Sequence, residues 1–100
     1  MAYKIIWTER ACEDLGALVR YISRHNPDAA RSMGYGIYDR AQILNQNPEA
    51  GSMVRELEDP DWRQLVFRNY RIIYHISNSE KIVEIVRVWH GARGDAELTG

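Results

Sequence analysis

Five residues toward the carboxyl end are of types that could do chemistry. Arg63, Arg68 and Arg71 fall within nine positions, and His90 and Arg93 flank Gly91 in the run VRVWHGARGD, Val86 to Asp95. An imidazole can give or take a proton near neutral pH. A guanidinium offers a planar, multidentate grip and is enriched where protein surfaces dock. The plain reading of VRVWHGARGD is a strand that has reached water, with His90 bonded to nearby backbone, Gly91 in a turn and Arg93 paired with an acid such as Asp95. The functional reading is a strand that delivers these side chains to a site. The choice depends on the elements that hold them.

Tyr3-Lys4-Ile5-Ile6-Trp7 is aromatic and β-branched, which predicts a first strand. Thr8 suits the cap of a following helix in which Ala11, Leu15, Leu18, Val19 and Ile22 form one apolar stripe. Asn26-Pro27 ends that helix and starts a second, where Ala30, Met33, Ile37, Ala41 and Leu44 again share a face. Gly34 and Gly36 weaken this helix and permit close helix–helix approach. Asn45 to Asp61 is a long connection, with Leu57 as its expected anchor. Three strands follow, over Trp62–Phe67, Tyr70–Ile76 and Lys81–Trp89, with Arg68-Asn69 and Ser77–Glu80 as turns.

The order β, α, α, loop, β, β, β predicts an α+β domain over residues 1–93, followed by a short tail, 94–100. A helical hairpin should pack on one face of a mainly antiparallel four-stranded sheet, with the first strand at an edge. Alternation in YRIIYHI places Tyr70, Ile72, Tyr74 and Ile76 toward the helices, and Arg71, Ile73 and His75 on a face left uncovered. Leu15, Leu18, Ile22, Ile37, Leu44, Ile72, Tyr74 and Val86 are the expected core. Trp7, Trp62 and Trp89 are read as packing residues.

At 45% hydrophobic and 27% charged, the chain has the composition of an ordinary globular protein. No apolar run approaches the roughly 20 residues of a membrane span, and MAYKIIWTER does not read as an export signal. Cys12 is the only cysteine, which excludes an internal disulfide and fits a reducing cytoplasm. No metal and no cofactor is expected. The net charge of −1 hides an uneven distribution: residues 62–93 carry 6 Lys/Arg against 2 Asp/Glu, whereas residues 1–61 carry 7 against 10. The basic segment is compatible with an anionic partner.

Helix one within Glu9 to Ser23, then NPDAA, VRELEDPDWRQLVFRNYRIIYHI and VEIVRVWHGAR together resemble the RelE/ParE superfamily of bacterial toxins. The resemblance runs from about Tyr3 to Arg93 and leans toward the ParE branch, often labelled plasmid stabilisation proteins. It implies a cytoplasmic toxin of a type II toxin–antitoxin system, silenced by a cognate antitoxin in a hetero-oligomer. ParE-type members are associated with DNA gyrase and RelE-type members with mRNA cleavage on the ribosome. For the first role the target-binding residues are Arg63, Arg68, Arg71, His90 and Arg93, with no chemical step. The second needs a base, a cation for the pentacovalent phosphate and a proton for the leaving oxygen. His90, Arg71 and Arg93 are the candidates, with Tyr74 or Trp89 for base stacking.

Against an enzyme, the loop MVRELEDPD is acidic apart from Arg55, where RelE-type members carry lysines. The expectation is therefore a gyrase-docking toxin, with a ribosome-dependent endoribonuclease or an inactive family member as alternatives. The antitoxin is expected to lay a segment across exposed apolar side chains such as Ile73 and Phe67.

Overall fold

The computed structural model describes residues 2–98. β1, Lys4–Trp7, leads into α1, Glu9–Ser23, whose first turn is capped by Thr8 Oγ1 accepting from the Ala11 amide at 3.2 Å. α2, Pro27–Gln42, begins at Asn26, whose side chain accepts from the Ala29 amide, and runs into a short 3₁₀ turn, Ile43–Asn45. Then come β2, Ser52–Met53; β3, Trp62–Phe67; β4, Tyr70–Ser77; and β5, Ile82–His90, which ends in a 3₁₀ turn, Gly91–Arg93.

The sheet has five strands in the order β1-β5-β4-β3-β2, antiparallel except where β1 joins β5 in parallel at the edge. The expected four strands become five because Ser52 and Met53 pair with Gln64 and Arg63. A two-residue strand of one serine and one methionine has no alternation to reveal it.

The two helices pack on one face. Leu18, Ile37, Leu44, Ile72 and Tyr74 are buried as expected, with Leu15 and Ile22 half-buried against them. Gly34 lies close to Val19 of α1, but Gly36 faces the sheet: a Cβ there would collide with the Phe67 ring. Tyr74 carries a polar group into this core. Its hydroxyl donates to Pro48 O at 2.7 Å and accepts from the Gly51 amide at 2.9 Å, which ties the loop before β2 to the sheet. Burial raises the Tyr74 phenol above its ordinary value.

Two features depart from simple alternation. Ile73 pairs with Arg87 and Tyr74 with Ile85, so Val86 is an extra residue in β5. This bulge reverses the parity of β5. Val83, Ile85 and Val88 all join the helix-side core, Arg87 and Trp89 turn away from it, and Val86 is only half-buried.

The second departure corrects the expected open face. Ile73 is 0% exposed and Arg71 only 5%. A second small core of Val54, Ile73 and Trp89 forms there, with Trp62, Ala96 and Leu98 packed against it. The segment after β2 and the chain beyond the last 3₁₀ turn thus cover the face that helices do not. Val54, not the half-buried Leu57, is the deep anchor of the long connection.

Candidate functional site

The site is built where the β3–β4 hairpin meets the end of β5. Arg68 occupies the hairpin turn with φ 54°, a left-handed conformation in which an arginine is uncommon. The Asn69 carbonyl accepts from the Gly91 amide at 2.8 Å. That contact pins the hairpin to the HGAR turn and makes a small residue at Gly91 useful, since a Cβ would lie 3.3 Å from the same oxygen. His90 Nδ1 accepts from the Ala92 amide at 3.1 Å, and the imidazole meets Tyr70 edge-on at 5.0 Å. Arg93 stacks over Trp89 at 3.9 Å, and Arg68 lies 5.5 Å over Phe67. Each guanidinium thus lies within cation–π reach of an aromatic face.

Two clefts share Tyr70 and His90. The larger, about 550 Å³, includes Arg55, Gln64, Arg68 and Arg71 in its lining. The smaller, about 390 Å³, runs along the seam between α1 and β5 beside Asp14, Tyr21 and Arg93. Burial raises the phenol of Tyr70 above its ordinary value, with Tyr21 adding to the effect.

Arg71 sits in the wall of the larger cleft, yet its donors are engaged inward. Nη1 and Nη2 bond the two oxygens of Glu56 at 2.7 and 2.6 Å, and Nε bonds Gln64 Oε1 at 2.6 Å. Glu56 Oε2 also accepts from the Ala96 amide at 2.6 Å. The Arg71 hydrogen bonds hold the Glu56 carboxyl down at about 2, against the opposing cost of burial. A bidentate pair of this kind is among the stronger side-chain contacts.

A second buried pair closes the other side of β5. Past Trp7 and Ile85, β1 no longer flanks that strand. Thr8 Oγ1 donates to Ile85 O, and Asp14 Oδ2 accepts from the Val88 amide at 3.0 Å. Asp14 also holds Arg87 through bonds of 2.8 and 3.1 Å, while Arg87 Nη1 donates to Glu97 O. α1 therefore completes an edge that β1 is too short to reach.

Residues 5–94 match the family described as ParE toxin of type II toxin-antitoxin system, parDE. The chain belongs to this ParE toxin family. It is 34% identical over 94 residues to Toxin RelE2 of Caulobacter vibrioides, covering 90% of this chain and 97% of that relative. The fold is similar to that in the chromosomal ParDE TA system from P. aeruginosa, with TM-score 0.71 and 23% identity over 89% of this chain and 96% of the other. It is also similar to a chain of the toxin–antitoxin complex RelBE2 from Mycobacterium tuberculosis, with TM-score 0.58 and 25% identity over 90% and 99% of the two chains.

In this ParE-family toxin, Arg68, Arg71 and His90 line one cleft and Arg93 lies just beyond it, in the smaller one. Arg63 stands apart, with its guanidinium donating to the carbonyls of Gly51 and Pro60. Tyr74 is inside the core and Trp89 is covered, so neither offers a stacking face to solvent. Glu56, Gln64, Asp14 and Arg87 were not singled out from sequence. Glu56 lies 15 positions from Arg71, and Asp14 lies 73 from Arg87. No local spacing carries such pairs; an arginine on a strand face beside an acidic loop was the available signal. Among the described residues no group of His, Cys, Asp and Glu is arranged to hold a metal ion.

Proposed function

We propose that this type II toxin acts by docking on DNA gyrase in the cytoplasm, with no chemical step of its own, and that a cognate antitoxin silences it in a hetero-oligomer. The observation that carries this reading is the engagement of Arg71. Arg71, the cation a cleavage mechanism would call on, gives three of its five N–H donors to Glu56 and Gln64. An RNA-cleaving centre needs that charge aimed at the phosphate as it becomes pentacovalent. Arg68, His90 and Arg93 remain outward around Tyr70 and form the docking patch, with Arg71 in the wall of the same cleft and Arg63 apart from it. Planar cations beside aromatic rings are the usual content of interface hot spots.

The antitoxin reading draws support from the P. aeruginosa and M. tuberculosis relatives, both from toxin–antitoxin systems. The sheet face first expected to receive it is filled by the chain itself. An open, largely apolar groove of about 420 Å³ lies instead between α1 and α2, lined by Leu15, Val19, Ala30, Arg31, Gly34, Tyr35 and Tyr38. An amphipathic segment of the antitoxin fits such a groove.

Expression without antitoxin is expected to stall replication and induce DNA-damage signalling while translation continues. Early arrest of translation with cleaved mRNA would instead support the endoribonuclease reading, with His90 as acid or base and Arg93 as the remaining cation.

A further inference from the structure

We infer that Glu56 is an internal counter-anion that excludes phosphate from the 550 Å³ cleft by occupying the paired Nη1 and Nη2 donors of Arg71. The inference rests on the docking reading, since it explains how a basic cleft can belong to a toxin that does not grip nucleic acid. The larger cleft has three arginines in its lining, Arg55, Arg68 and Arg71, together with His90, Asn69 and Gln64, and none of its lining residues is a carboxylate. Its size suits a phosphate ester. A guanidinium that takes a carboxylate in two parallel bonds takes a phosphate in the same way. Glu56 supplies that anion from within the chain, at 2.7 and 2.6 Å, and Gln64 takes the remaining Nε.

The carboxylate is itself held from outside. The Ala96 amide donates to Glu56 Oε2, Arg87 donates to Glu97 O, and Trp89 Nε1 donates to Gly94 O at 3.0 Å. Ala96 and Leu98 pack on the small core of Val54, Ile73 and Trp89. Residues 94–98 thus act as a strap over the Glu56–Arg71 pair. Weakening either the carboxylate or the strap should release the guanidinium toward the cleft.

The test is the binding of inorganic phosphate, followed by calorimetry and by melting temperature against chloride at equal ionic strength. Four chains are compared: wild type, Glu56→Gln, the double variant Glu56→Gln/Arg71→Gln, and a chain ending at Arg93. Glu56→Gln should bind phosphate at least about tenfold more tightly than wild type and gain a phosphate-dependent rise in Tm. The double variant should lose that gain, and the chain ending at Arg93 should show part of it. Equal binding by Glu56→Gln and wild type, or a gain that survives loss of Arg71, overturns the proposal. If Glu56→Gln folds only when phosphate is present, the proposal holds. If it does not fold even then and the shortened chain shows no gain, the proposal fails. No gyrase enters these measurements, so a failure here is distinguishable from failure of the docking reading.

Discussion

Arg71 shows how much one side chain's surroundings decide. Its place in YRIIYHI puts it on the strand face opposite the helices, where an arginine would ordinarily be solvated. Glu56 and Gln64 meet it there, and the pair is buried with side-chain exposures of 6% and 9%. Removing one member of such a pair strands the other charge, so Glu56→Ala should cost about 3–5 kcal/mol of folding stability by denaturant titration. The pH dependence has a definite sign. Glu56 is lowered from 4.5 to about 2 in the folded chain, so the unfolded state binds its proton first as pH falls. The stabilisation is complete above about 4.5 and is lost as pH drops toward about 2. After a discount for partial solvent access it amounts to on the order of 1–2 kcal/mol. Acid titration should show this loss in wild type and its absence in Glu56→Gln.

At the scale of elements, the helical hairpin depends on close approaches that its glycines permit. Gly36 faces Phe67 of β3, with no room for a Cβ unless the ring moves. Gly36→Ala should therefore destabilise by about 1–3 kcal/mol despite its better helix propensity, and thermal melting with Gly16→Ala as comparison tests the sign. The opposite side of the hairpin is the apolar groove, where Tyr35 is 66% exposed and Tyr38 is 48% exposed. If the antitoxin packs there, Tyr35→Ala or Tyr38→Ala should weaken its binding by about 2 kcal/mol or more, with little change in the melting temperature of the toxin alone. Unchanged affinity for both variants would move the antitoxin to another surface.

For the molecule as a whole, the residues that build the helix-side core were legible because one periodicity per element identifies them. Ala11, Ile37, Ala41 and Leu44 recur at helical spacing, and Ile72, Tyr74 and Ile76 alternate on β4. The outer face was misread for a physical reason: alternation says which way Ile73 and Arg71 point, not what lies over them. Their covers come from Val54 and Glu56, and from Ala96 and Leu98 past the end of β5. The bulge at Val86 was equally hidden, since an extra residue in a run of valines and isoleucines leaves no mark in composition. Of the proposed docking patch, Arg68, His90 and Arg93 were named from their types and spacing, whereas nothing local in the sequence marks the engagement of Arg71 by Glu56 and Gln64 on which the docking proposal leans. The central claim is therefore tested by assaying purified toxin against gyrase supercoiling and, in parallel, against ribosome-programmed mRNA, with wild type, His90→Ala and Arg68→Ala. Docking on gyrase predicts inhibited supercoiling, intact mRNA, a mild effect of His90→Ala and a larger one of Arg68→Ala. Ribosome-dependent cleavage that slows by roughly 10²–10⁴-fold in His90→Ala, with supercoiling untouched, would contradict it.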